Sequence, residues 1–494
     1  MALKQRGKTD WQRGQRQFFQ ALFTREFSIT EGSAILIASF FVSAVLGALR
    51  QVLFNAQFGV GVEANAYYAA FRLPDTLFSL IAGGTLSNAM IPVLIGTVRK
   101  DSEEAGYRLI SLVFTSMMVV MSVIVLLLML FTPLFVRYVL APGFDAETAQ
   151  LTITLTRIKL LQPFILSVGS VATAVLNSRN QFLLPAISIM TYNLTLIGGI
   201  LLAGIYPPIG IYGPTFGTVV GAVFQIIILW PGLAVLRGRR WFTWDPGNRR
   251  LREVVYLLIP NGLSAVVNYG GAIIDTAFAS LANRLVALPA VYNAVLLANL
   301  PVTLLGYAVG LAAFPRFAER AETGDWHAMR RLVLIVLAIA CSLSFVAMAT
   351  IYLVGRLVVH LLFEHGQFDA AAGDVTFSVL QVYALGLPVH VGTEILSRAL
   401  ISMRDTRTPL FTNIGQLISR ATIMWLAIEP YGLFAIPMAF VSSSALETIV
   451  LALVLFYKLR TNCTTARDCP NIGLASIRKF SVPAGPQPNS GIGS

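Results

Sequence analysis

The sequence predicts an all-α polytopic membrane protein, with about 12 transmembrane helices in two parallel-related six-helix lobes around a central cavity. Three observations carry this. The chain of 494 residues is 56% hydrophobic and only 12% charged, with a mean hydropathy of +0.72, whereas soluble domains carry about 25% charged residues. Its apolar runs, such as Ala34–Phe54, Ile110–Val136 and Leu332–Val354, have the length of a hydrocarbon-spanning helix and exceed that of a barrel strand. The two halves also repeat one another at an offset of about 225 residues.

Residues 1–30 precede the first span. Lys4, Arg6, Lys8, Arg13, Arg16 and Arg25 lie there, in a segment too long and polar for a cleavable signal. Trp11, Phe18, Phe19, Leu22 and Phe23 recur among them at helical spacing. This reads either as an amphipathic helix on an anionic membrane surface or as a basic tail without fixed structure.

Twelve spans follow, at 32–56, 68–96, 107–139, 147–177, 185–205, 211–236, 253–282, 288–314, 329–363, 372–402, 410–428 and 431–458. Ser28 and Glu31 have capping-box spacing before the first. Pro92, Pro185, Pro315, Pro409 and Pro430 read as starts and stops of helices. The spans divide into a lobe at 31–238, a basic linker at 239–252, a second lobe at 253–459 and a polar tail at 460–494.

The cations fix the expected orientation. One set of alternate loops holds sixteen Lys and Arg, with Arg237, Arg239, Arg240, Arg249, Arg250 and Arg252 in a single loop; the other set holds only Arg137 and Arg284. Cation-rich loops stay in the cytoplasm. Both termini are therefore expected inside, with an even number of spans.

The repeat rests on five correspondences in order. Leu73-Pro74 matches Leu300-Pro301, Phe144-Asp145-Ala146 matches Phe368-Asp369-Ala370, Pro163 matches Pro388, Arg179 matches Arg404 and Pro185 matches Pro409. Six spans per copy leave both copies in the same orientation. Such repeats build transporters whose lobes rock about a site between them.

Ionisable residues within spans are costly and usually face a wet cavity or a partner. Arg50 and Asp275 are repeat-equivalent and opposite in sign. They face each other if spans one and seven line the cleft; otherwise each snorkels to the outer interface. Arg157 and Lys159 in span four point to an anion site or to a partner on another helix. Glu394 and Arg398 are spaced to pair within span ten. Arg420 and Glu447, on neighbouring antiparallel spans, read as a buried structural salt bridge.

Scattered His360, His365 and His390 form no metal-binding pattern. The spacing of Cys463 and Cys469 fits neither zinc nor a redox motif, and Cys341 reads as packing. The sequence holds no phosphate-binding glycine loop, nucleophile elbow or HExxH, so no enzyme and no cofactor is expected. The basic loops are read as topology determinants rather than a nucleic-acid surface.

Several segments carry a family resemblance. Ser43-Ala44-Val45-Leu46-Gly47-Ala48-Leu49-Arg50, Phe58-Gly59, Ala64-Asn65-Ala66-Tyr67, Phe71-Arg72-Leu73-Pro74, Ser87-Asn88-Ala89-Met90-Ile91-Pro92, Phe314-Pro315 and Gly366-Gln367-Phe368-Asp369 resemble the MurJ/MviN family over about residues 30–460. The resemblance implies a flippase in the bacterial inner membrane that moves lipid II, a polyprenyl-pyrophosphate-linked peptidoglycan precursor, from inner to outer leaflet. Arg50, Arg157 and Lys159 would attract the anionic headgroup. Asp275 would modulate Arg50 or carry a coupling ion, with coupling to the membrane potential or to a cation left open. Ala44, Phe78 and Leu296 stand where the family pattern has cavity arginines, Gln51 and Gly83 where it has acids. A monomer is expected, with anionic lipids at its basic segments and cell-envelope synthesis proteins as partners. Two other readings stand beside it: an exporter of another lipid-linked saccharide or amphiphile, and a membrane scaffold for envelope assembly that transports nothing.

Overall fold

The computed structural model describes residues 27–81, 85–236, 240–282 and 285–468. The amphipathic reading of residues 1–26, Gly83, Arg284 and the tail beyond 468 lie outside them. The described residues contain helices and no strand.

The first lobe contains α1 (Ile29–Phe58), α2 (Val62–Ile81), α3 (Thr85–Lys100), α4 (Glu103–Phe135), α5 (Ala146–Lys159), α6 (Leu161–Ser178), α7 (Leu183–Ile205) and α8 (Tyr212–Leu233). The second contains α9 (Arg249–Leu281), α10 (Ala287–Pro301), α11 (Val309–Glu322), α12 (Trp326–Phe363), α13 (Ala370–Leu385), α14 (Leu387–Ser402), α15 (Arg407–Tyr431) and α16 (Ala435–Asp468). Ser28 caps α1 through the expected box: its hydroxyl accepts from the Glu31 amide, and the Glu31 carboxylate accepts from the Ser28 amide.

Among the described residues, sixteen α-helices serve twelve spans because the second and fourth crossings of each lobe are broken. α2 and α3 form one crossing, as do α5 with α6 and α13 with α14. α10 and α11 are joined through a π-helical turn, Val302–Ala308. The breaks at Leu160 and Gly386, just before Pro163 and Pro388, fall at matching places in the repeat. Among the described residues, eight helical stretches are long and apolar enough to cross a membrane, or nine with the bent α13–α14 pair, and one of them holds both α15 and α16. The two crossings outside that set, α2–α3 and α9, carry the charges Arg72, Asp75 and Asp275 that line the cleft.

Two of the five prolines read as boundaries lie inside helices instead, Pro92 in α3 and Pro315 in α11, while Pro430 sits one residue before the end of α15 at Tyr431. Neighbouring helices and local turn adjustments can satisfy the backbone groups that a proline frees within a membrane. Pro185 and Pro409 do sit in first turns.

The packing explains the shape. One buried cluster joins the lobes at the end away from the basic loops, through Phe54, Tyr67 and Tyr68 of the first and Val291, Phe363 and Tyr383 of the second. Toward the basic end the core divides. One cluster gathers Leu86, Met90 and Leu112 with Leu251 and Val254 of α9; a separate one gathers Phe317, Val333, Leu396 and Leu455. The lobes are therefore fused at the end away from the basic loops, here termed outer for the orientation the cations predict, and diverge toward the basic end, with α9 crossing from one to the other.

Candidate functional site: a cationic cleft between the lobes

Two adjoining compartments of about 320 Å³ each lie where the lobes diverge. Tyr269 and Tyr292 line both and so mark their boundary. Arg50, Asp75, Gln162, Tyr192 and Asn193 line the first; Arg72, Asp275 and Asn299 line the second. Arg72 and Asp75, three apart on α2 and so neighbours on one face of it, lie at the boundary of the two compartments, Arg72 lining one and Asp75 the other.

The cations differ in their partners. Arg50 donates to Asn193 Oδ1 on α7 at 3.2 Å, and Asn193 is fixed in turn by donating to Ser43. Arg72 donates through Nε to Thr276 Oγ1 at 2.8 Å, with its guanidinium 5.6 Å above the Tyr292 ring. Both arginines thus have neutral partners, and a guanidinium offers five N–H donors. Asp275 is answered by Arg420 at 2.6 Å, a buried pair whose guanidinium also lies 4.6 Å over Phe440. Lys159 is fully buried at the end of α5; its Nζ has no hydrogen-bond partner and lies against the faces of Phe71 and Tyr67. Cation–π attraction and the nearby Asp75 carboxylate offset its burial. The region holds four cations, Arg50, Arg72, Lys159 and Arg420, against two carboxylates, Asp75 and Asp275.

The structure changes several expected pairings. Arg420 pairs with Asp275 and not with Glu447, which accepts instead from Thr412 at 3.4 Å. Arg50 and Asp275 line different compartments and bond elsewhere. Arg157 is exposed on the outside of its lobe, donating to Met129 O at 3.1 Å, so it does not join Lys159 in the cleft. A helix turns about 200° over two residues, which puts the pair on opposite faces. Glu394 and Arg398 do pair, at 2.5 Å. His360 bonds Glu364 at 2.7 Å, and His390 packs against Phe440. The reading of intramembrane charges missed Arg72 and Asp75, although both lie inside the predicted second span beside the repeated Leu73-Pro74.

The outer end is closed by direct bonds between the lobes. Gln51 Nε2 donates to Asn293 Oδ1 at 2.7 Å and Asn65 Nδ2 to Leu285 O at 2.6 Å. Two backbone contacts complete it: the Gln367 amide donates to Ala56 O at 2.8 Å, and the Gly143 amide to Ser280 Oγ at 3.0 Å. These two are copies of one contact under the repeat, each joining the end of a lobe's first span to the 3–4 loop of the other lobe. The approach is so close that a Cβ on Gly366 would meet Ala56 O at 2.2 Å, and one on Gly143 would meet Ser280 O at 2.3 Å.

A cleft between two repeated lobes, sealed at one end and lined by cations at mid-depth, defines a membrane transporter of the alternating-access class. The family model described as "Lipid II flippase MurJ" matches residues 54–467. The chain belongs to the MurJ family. It is 27% identical over 402 residues to the protein named probable lipid II flippase MurJ in Rhizobium tropici, covering 80% of this chain and 74% of that one. The lipid II flippase MurJ of Burkholderia cenocepacia is likewise 27% identical, over 78% of this chain and 76% of its own. In fold the chain resembles a structure of lipid II flippase MurJ in an inward closed conformation, with a TM-score of 0.73 at 20% identity over 89% and 94% of the two chains. An inward-facing multidrug transporter of the MATE family gives 0.72 at 15% identity, over 87% of this chain and 99% of that one.

Proposed function

We propose that this protein carries lipid II from the inner to the outer leaflet by alternating access, with the pyrophosphate held between Arg50 and Arg72. One observation carries the assignment of the site: Arg50 and Arg72, whose hydrogen-bond partners are neutral, line the two adjoining compartments between the lobes. A pyrophosphate offers several anionic oxygens, and charge-assisted bonds to guanidinium are about twice as strong as neutral ones. Asp275 is already matched by Arg420, so it does not cancel this attraction. Lys159 adds positive potential from behind the wall. In this reading the basic loops face the cytoplasm in a bacterial inner membrane and both termini lie inside. The headgroup enters from that side and leaves when the outer contacts part and the lobes rock. The side chains supply binding and orientation, and no bond of the cargo is made or broken.

The test is reconstitution of the full chain in proteoliposomes with fluorescent lipid II. Arg50→Ala and Arg72→Ala should each slow flipping at least tenfold while membrane insertion is kept. Wild-type rates in both variants would remove the site assignment.

A second reading, transport of another lipid-linked saccharide, has its own support. Phe78 and Leu296 line the two compartments where the family pattern has arginines, which weakens the grip on a multiply charged headgroup. Competition between lipid II and other polyprenyl-linked carriers for the purified protein separates the two.

A further inference from the structure

A stripe of polar side chains runs along α15 at every fourth residue: Thr408, Thr412, Gln416 and Arg420. Thr408 bonds within the first turn, and the other three reach other helices. Thr408 Oγ1 donates to Asp405 at 2.5 Å, Thr412 Oγ1 to Glu447 at 3.4 Å, Gln416 Nε2 to Ser443 at 3.0 Å and Arg420 to Asp275 at 2.6 Å. Over twelve residues the helix rises about 18 Å. The stripe therefore connects the basic-loop end, where Lys458 also holds Asp405 at 2.5 Å, to the carboxylate in the central cleft.

Of the three carboxylates bonded to this stripe, Asp405, Asp275 and Glu447, it is Glu447, on α16, that has no cation. Arg420 is committed to Asp275. Arg398 is committed to Glu394 and lies 4.6 Å over Tyr307, and Lys458 is committed to Asp405. Other titratable groups on helices packed against α16 include Tyr383 on α13, His390 on α14 against Phe440, and Cys341 on α12, whose thiol reaches Pro388 O; Asp374 pairs with Arg356 at the opposite end of the lobe. The charge that acts on Glu447 is Glu394, of like sign. One arginine between two glutamates leaves a negative charge in excess inside the membrane, which is costly. Among the described residues no cluster of three or more His, Cys, Asp or Glu gathers to hold a metal ion there.

We propose that Glu447 is a proton-binding site of the second lobe, loaded from the basic-loop face past Asp405, Thr408 and Thr412, and that this proton is the coupling ion of transport. The coupling role rests on the flippase reading above; the site itself does not. The carboxylate takes a proton from water to become a neutral acid and returns it to water, so no other reactant is needed. In the neutral form α15 and α16 pack without a charge between them. In the charged form Glu447 repels Glu394 and draws water into that seam, which favours a different arrangement of the second lobe.

Two measurements on the full-length protein test this. Infrared difference spectra of the purified protein, taken as pH is stepped from acid to alkaline, should show a carboxylic-acid carbonyl band that titrates away. The band should be missing in Glu447→Gln and shifted in frequency in Glu447→Asp, the variant that decides the matter if the glutamine form does not fold. A band unchanged in both variants, or none in the wild type, overturns the site. In proteoliposomes with the potential clamped, an imposed pH gradient should change the wild-type flipping rate several-fold and leave Glu447→Gln insensitive. Equal sensitivity of the two, or a response to a sodium gradient at fixed pH instead, overturns the coupling. A titrating band in a protein that flips no lipid II under any gradient keeps the site and removes the flippase reading.

Discussion

Replacing Gly366 with alanine perturbs the outer seal at its tightest point. A Cβ there would lie 2.2 Å from Ala56 O, and the backbone has φ +59°. The left-handed conformation costs alanine about 1 kcal/mol, but this applies whichever way the lobes rock. The clash applies only while the outer end is closed. Overpacking of this kind costs about 1–3 kcal/mol, and loosening the Gln367–Ala56 hydrogen bond adds about 1 kcal/mol. The outer-closed state therefore loses about 2–4 kcal/mol relative to the outer-open one. At about 1.4 kcal/mol per factor of ten, the ratio of states shifts by roughly 30- to 700-fold. The assay is the distance between spin labels at two exposed outer positions, Glu147 and Ala371, read by double electron–electron resonance in a background lacking the native cysteines. The distribution should move to longer distances. Gly432→Ala is the control: its φ is +54° and no heavy atom lies within 4 Å of the added methyl, so it carries the conformational strain without the clash. Identical distributions for the two variants would refute the argument that backbone contact holds the outer end shut.

Three further outcomes are expected. Asp275→Asn and Arg420→Met, made singly, should each cost about 3–5 kcal/mol because each strands a buried charge, whereas a double apolar replacement should recover most of that; thermal unfolding in detergent measures the cycle, and additive losses would contradict a coupled pair. Arg157→Ala should leave stability within about 0.5 kcal/mol of the wild type and transport unchanged, while Lys159→Met should reduce headgroup affinity, as lipid-binding titrations would reveal. Asp405 is pushed up by burial, but hydrogen bonds from Lys458 and Thr408 outweigh this and hold its pKa at about 2. A depressed carboxyl stabilises the fold above its unfolded value near 3.9 and loses that contribution as pH falls through the folded one. The stability gap between wild type and Asp405→Asn should therefore be full at neutral pH and close between about pH 4 and pH 2; a gap constant across that window would count against the pairing.

Much of the fold was legible because hydrocarbon leaves the backbone few choices. Apolar runs, cations between them and an offset of about 225 residues gave the helices, the lobes and their parallel relation. Pro163 and Pro388 were legible as kinks because proline acts on its own helix. Pro92 and Pro315 were misread because helices in a membrane carry proline where neighbours satisfy the backbone. Arg157 shows a signal that was present and unused: two residues from Lys159, it had to point the other way.

The sequence alone determined the composition-driven elements: which segments are helical, and that the halves are copies. Each depends on local periodicity and on charges adjacent in the chain. Only the tertiary structure decided which charges meet. Arg420 finds Asp275 across 145 residues of sequence and leaves Glu447 to Thr412, and Arg72 finds Thr276 across 204. It also decided that the lobes fuse at Ala56 with Gln367 and at Gly143 with Ser280, where glycine lets backbones approach more closely than any side chain would allow. Pairing across a cleft depends on distances in space that sequence separation does not encode.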